Sequence, residues 1–152
     1  MATENLDNLV KIGQLKVEPP ADYEVAGLIQ SGLTRLTDSQ NTELGYESRF
    51  DLAYNAAHAL SLAALRIAGY RSETRYHVFL CTRHTIDLES ERWRVLENAH
   101  NKRNLAEYEG SYEVDSATVE ALIRIATIVA ERVQRMAGET RTSETAKETN
   151  NE

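Results

Sequence analysis

A chain of 152 residues, 41% of them hydrophobic, is long enough for one domain with its own core and too apolar for wholesale disorder. The net charge of −7 excludes a broadly basic nucleic-acid coat, and seven glycines with two prolines leave little punctuation for a many-stranded β fold. The single cysteine, Cys81, excludes an internal disulfide framework and fits a reducing compartment.

No hydrophobic run approaches the roughly 20 residues that span a bilayer. The opening MATENLDNLVKIG lacks the basic and apolar regions of a signal peptide. A cytoplasmic protein with no membrane partner is therefore expected.

Residues 1–21 read as an N-terminal lead-in, with a short amphipathic piece (Leu6, Leu9, Val10) ahead of Pro19-Pro20. Asp22 stands where an N-cap belongs, and Val25, Leu28, Ile29, Leu33 and Leu36 then recur at helical spacing. TDSQN, residues 37–41, reads as a turn. ESRFDLAYNAAHALSLAALRIAGY follows, with one stripe running from Phe50 through Ala53, Tyr54, Ala57 and Ser61 to Ala68. Gly69 sits at the position that closes helices in the left-handed conformation. Small residues along this stripe let neighbours approach closely, which predicts the central helix of a bundle.

TRYHVFLCTRHTI, residues 74–86, has the composition of a short helix or a strand. Helix is preferred because no partner strand is evident. Residues 89–108 predict a further helix with Trp93, Leu96, Ala99 or His100, and Leu105 facing inward. Asp115 or Ser116 opens the last helix, whose apolar positions from Val119 to Met136 repeat until Gly138. The end of the chain, ETRTSETAKETNNE, has no apolar residue larger than Ala, so residues 138–152 are expected to be a disordered tail. The expected fold is all-α: an antiparallel up-and-down four-helix bundle with an additional short helix over residues 22–137.

Several residue groups carry potential chemistry. His77, Cys81 and His84 share a helical face, but the two histidines lie about 10.5 Å apart along the axis, too far to bind one ion. No second Cys/His cluster completes a ligand set, so neither a metal nor a cofactor is expected. Tyr54 and His58 are four residues apart on the Ala-rich helix and could line a cleft between helices. Residues 66–103 hold eight Arg or Lys against five acids, so the rest of the chain carries −10. This uneven balance suits a local anion-binding surface or a solvated helix face.

HNKRNLAEYEG, residues 100–110, concentrates His100, Lys102 and Arg103 before Asn104 and Tyr108. Asn104 and Tyr108 share a face. Arg103 and Tyr108 are about 140° apart around a continuous helix. They can meet at one ligand only if the helix ends or kinks between them, or if a second subunit supplies the partner.

Two segments, ESRFDLAYNAAHALSLAALRIAGYR and LENAHNKRNLAEYEG, resemble the HEPN domain (higher eukaryotes and prokaryotes nucleotide-binding), in the branch where an R-x4-Y motif occurs. DNLVKIGQLKVE is similar to segments that precede this domain. The resemblance spans roughly residues 5–136. It implies a dimerising helical bundle related to metal-independent endoribonucleases, which often act as toxins paired with a nucleotidyltransferase antitoxin.

On this resemblance Arg103 matches the arginine that holds the scissile phosphate, Asn104 its polar neighbour, and Tyr108 stands where the motif His would be. A phenol with an ordinary pKa of about 10 is a poor base at neutral pH. The implied function is therefore binding of RNA or a nucleotide in a toxin-like or defence protein, more directly than cleavage. Arg103 and Tyr108 would occupy the reacting centre, with Lys102, Asn104, His100, Tyr54 and His58 contributing to the ligand site. The other function compatible with the residues is a non-catalytic homodimeric protein-interaction module.

Overall fold

The computed structural model describes the backbone of residues 2–110 and 113–150, with side chains over 3–110 and 113–140. Six helices form among them: α1 (Ala2–Lys11), α2 (Asp22–Ser39), α3 (Tyr46–Ile67), α4 (Arg75–Thr85), α5 (Ser90–Glu109) and α6 (Ser116–Asn150). A two-residue antiparallel ribbon, β1 (Lys16–Val17) with β2 (Tyr70–Arg71), is the only sheet among the described residues. The fold is all-α, with α2, α3, α5 and α6 as the main bundle. None of the described helices is long and apolar enough to cross a membrane.

Helix α3 is the axis of the bundle and packs against α2, α4, α5 and α6. Its sequence explains why. Ala53, Ala56, Ala57, Ala63 and Ala64 are fully buried, so several neighbours approach the same backbone. Larger residues fill the remaining space: Phe50 and Leu60 from α3, Phe79 from α4, Leu96 from α5, and Leu122 and Val129 from α6. On α2, Gly32 lies directly against Leu60, where a Cβ would come within 2.6 Å of the leucine Cγ.

The lead-in packs into this fold. Leu6 and Leu15 join Leu65, Tyr70, Val78 and Cys81 in a second apolar cluster, and α1 packs on α4. Arg66, buried near the end of α3, fixes the path of residues 18–24. Its guanidinium donates to Glu24 Oε1 at 2.9 Å and to the carbonyls of Glu18 (2.9 Å), Pro19 (2.9 Å) and Tyr70 (3.2 Å). Arg71 joins the same two acids, Glu18 and Glu24. These guanidiniums hold the Glu24 carboxyl below its usual range, against the opposing effect of its desolvation.

Several local expectations need correction. Ala21 occupies the N-cap of α2 without a side-chain hydrogen bond, and Asp22 is the first helical residue. Helix α2 continues to Ser39, so only the end of the expected 37–41 turn is non-helical. Residues 75–85 are helical, as preferred over strand. Gly69 and Gly110 close their helices with φ of +94° and +79°. Asp115 caps α6, accepting from the Thr118 N–H at 2.8 Å.

Helix α6 does not stop at Gly138. Its backbone remains helical to Asn150, through most of the segment expected as a disordered tail. One glycine costs only about 1 kcal/mol in a helix, and ETRTSETAKETN is rich in residues that tolerate helix. Residues 151 and 152 lie outside the described residues.

Candidate functional site

Three helices converge where α3, α4 and α5 bring polar and aromatic side chains together. From α3, Asp51, Tyr54, Asn55 and His58 share one face at i, i+3, i+4 and i+7. From α5, His100, Arg103 and Asn104 do the same at i, i+3 and i+4. Helix α4 contributes Arg75, Tyr76 and Phe79.

His100 is the centre of this group. Its Nδ1 lies 3.0 Å from Tyr54 Oη, and its Nε2 lies 3.1 Å from Asn104 Nδ2. A neutral imidazole has one donor and one acceptor nitrogen. With the Asn104 amide donating to Nε2, the ring proton resides on Nδ1 and is donated to the Tyr54 oxygen. The ring is further enclosed by Tyr54, stacked at 6.4 Å and 16°, by Tyr76 at 6.1 Å and by Phe79 at 6.1 Å.

Electrostatics keep both histidines of the cluster neutral. Desolvation lowers the His100 pKa, and the nearby Arg75 charge lowers it further, while Glu107 works in the opposite direction. His58, packed edge-on against Phe79 at 5.8 Å, is pushed down to about 4, chiefly by burial and then by Arg75 and His100. Burial raises the Tyr54 pKa, so that phenol stays protonated. The site thus presents neutral imidazoles beside permanent cations.

Those cations are Arg75 and Arg103. Arg75 donates to Asn55 Oδ1 at 3.2 Å and lies over the Tyr54 ring, 5.5 Å from its centroid. Arg103 forms long ion pairs with Asp51 (3.5 Å) and Glu107 (3.8 Å), and its buried Nε makes no hydrogen bond. Its side chain is 31% exposed. Loose pairs of this kind in a half-exposed position contribute little and leave the guanidinium open to a stronger anion.

The structure gathers Tyr54, His58, His100, Arg103 and Asn104, but not Tyr108. Helix α5 continues without interruption to Glu109, so Tyr108 turns away from Arg103, and it is 91% exposed. It lies one turn beyond Asn104, with its ring in solvent. Leu105, expected inward, is exposed, and the neighbouring Ala106 faces the core instead. Lys102 sits on another face of α5. It donates to the Glu113 carbonyl at 2.9 Å, at the rim of a 350 Å³ cleft floored by Phe50, Ala99 and Leu122.

Arg75 is the cation of the group that the sequence did not single out, and Asp51, Asn55, Tyr76 and Phe79 also join it unannounced. The only signal for Arg75 is the i, i+4 relation to Phe79 on a segment whose helical character was open. The basic stretch is also less free than its composition suggests. Arg66 and Arg71 are committed to Glu18 and Glu24, Arg92 to Glu89, and Arg83 lies over Trp93.

His77, Cys81 and His84 do not converge. His77 meets Thr74, and His84 lies 3.5 Å from Asn5. Cys81 is buried, which pushes its thiol up to about 12. Among the described residues no group of three or more His, Cys, Asp or Glu is placed to hold a metal ion. Neither a family model nor a curated protein matches this chain in sequence.

Proposed function

We propose that this protein is a HEPN-like domain that binds the phosphate of RNA or a nucleotide at the α3–α4–α5 junction. The observation that carries the reading is His100, held between Tyr54 and Asn104, with the Arg75 guanidinium over the Tyr54 ring and Arg103 paired to Asp51 on the same face of α3. A phosphate outcompetes the two loosely held carboxylates for Arg103, because a guanidinium pairs with it in a fork geometry. The Asn104 amide carries a second N–H that can donate to the phosphate, while His100, both of whose ring nitrogens are taken by Tyr54 and Asn104, positions that amide.

The reading revises the roles implied by the motif. Arg103 and Asn104 remain phosphate contacts, Arg75 joins them, and Tyr108 is assigned to the surface between two protomers. Leu105 and Tyr108 expose apolar area together near the end of α5, which favours self-association there.

Binding of a labelled RNA oligomer, titrated across salt concentrations, tests the reading. Arg75→Ala and Arg103→Ala should each weaken binding and reduce the salt slope by about one phosphate contact. Unchanged affinity in both variants rejects it. A metal-free cleavage assay on the same proteins separates binding from catalysis.

A further inference from the structure

We propose that Tyr76 receives a nucleobase, stacked on its open face, while Arg75 beside it in the chain holds the adjoining phosphate. This inference rests on the phosphate-binding reading above and adds what it leaves open: the part of the ligand that is not phosphate.

Exposure alone assigns nothing, since Tyr23 (83%) and Tyr46 (47%) are more exposed than Tyr76 (39%). What distinguishes Tyr76 is its place in a row of rings, between His100 and its chain neighbour His77, whose imidazole stands edge-on at 5.5 Å. It packs 6.1 Å from His100, and His100 in turn stacks on buried Tyr54 at 6.4 Å. One side of the phenol is therefore supported from within, and part of its surface remains open. Arg75, anchored by Asn55 and the Tyr54 ring, places a cation in the same first turn of α4.

An aromatic face beside a guanidinium matches the two halves of a nucleotide. The base offers a π-surface of similar size, and the phosphate offers the charge. A base within a duplex has both faces covered by its neighbours, so only an unpaired base can use this ring. Tyr76 would thus make the site sensitive to the presence of a base, and Arg75 to the phosphate.

The test compares two labelled probes by fluorescence anisotropy: single-stranded oligouridylate of about ten nucleotides and an abasic oligomer with the same number of phosphates. Tyr76→Ala should weaken oligouridylate binding roughly tenfold, Tyr76→Phe should restore it, and abasic binding should be unaffected by either change. Circular dichroism verifies that the variants stay folded. If Arg75→Ala weakens both probes while Tyr76→Ala weakens neither, the phosphate site stands and the stacking role is overturned. If the unmodified protein binds neither probe, both fall.

Discussion

The Tyr54 hydroxyl lies 3.0 Å from His100 Nδ1, a contact across 46 residues that joins the first half of α3 to the middle of α5. Tyr54 is almost fully buried, so removing its oxygen strands the imidazole nitrogen it faces. Tyr54→Phe should cost about 1 kcal/mol in urea unfolding. It should also change the His100 Nδ1 shift, because the acceptor of the Nδ1–H is gone while Asn104 still holds the tautomer. An unaltered shift would show that Nδ1 does not donate to the phenol.

His58 makes stability depend on pH. Its pKa in the folded chain is about 4, against roughly 6.5 when unfolded, so the unfolded chain takes up the proton first as pH falls. Its contribution is complete above the unfolded value and is lost progressively down to the folded one. Allowing for its partial exposure, unfolding at about pH 7 and about pH 4.5 should show a loss near 2 kcal/mol that His58→Gln removes. An equal loss in that variant would place the pH dependence elsewhere.

Arg66 should be the most sensitive charged position. Arg66→Met leaves Glu24 without its buried partner and three backbone carbonyls without their donor. The expected cost is about 3–5 kcal/mol by denaturant unfolding. Amide exchange over residues 14–18 should accelerate beyond that of the bundle core, because the lead-in loses its anchor.

Two glycines on α2 should respond with opposite signs. At Gly32 an added methyl meets Leu60, which is fully enclosed, so Gly32→Ala should destabilise by about 1–3 kcal/mol. At Gly27 nothing lies within 4 Å of the added carbon, and Gly27→Ala should stabilise by about 0.5–1 kcal/mol. Melting temperatures of the pair decide it.

Self-association through α5 predicts that Leu105→Glu with Tyr108→Glu yields a monomer at micromolar concentration without loss of helicity. Sedimentation showing the same mass for the unmodified chain and the double variant would rule out this surface.

The sequence made α3 and α6 legible because their apolar positions repeat at helical spacing over many turns, and Gly69 and Gly110 mark helix ends by their backbone freedom. Helix α5 was harder to orient. Adjacent Leu105 and Ala106 compete for the inward position, and close packing selects the smaller residue. Arg66 looked like a surface base because arginine is seldom buried, and its partners are main-chain carbonyls nearly fifty residues away. His100, Arg103 and Asn104 share a helical face, but their alignment with Tyr54 and Arg75 depends on the relative rotation of three helices. Local spacing does not encode that rotation.

Most of what Arg66 grips belongs to the main chain, and this separates two kinds of mutational tolerance. Replacing the side chain at position 19 or 70 leaves the gripped oxygens available, provided the chain keeps its course. A lysine at position 66 cannot span the same acceptors, because its ammonium is a single point and the guanidinium is a fork. At residues 18 and 19 the course of the leading segment is therefore set largely through main-chain oxygens held by one residue far downstream, while Leu6 and Leu15 seat the part before it by burial.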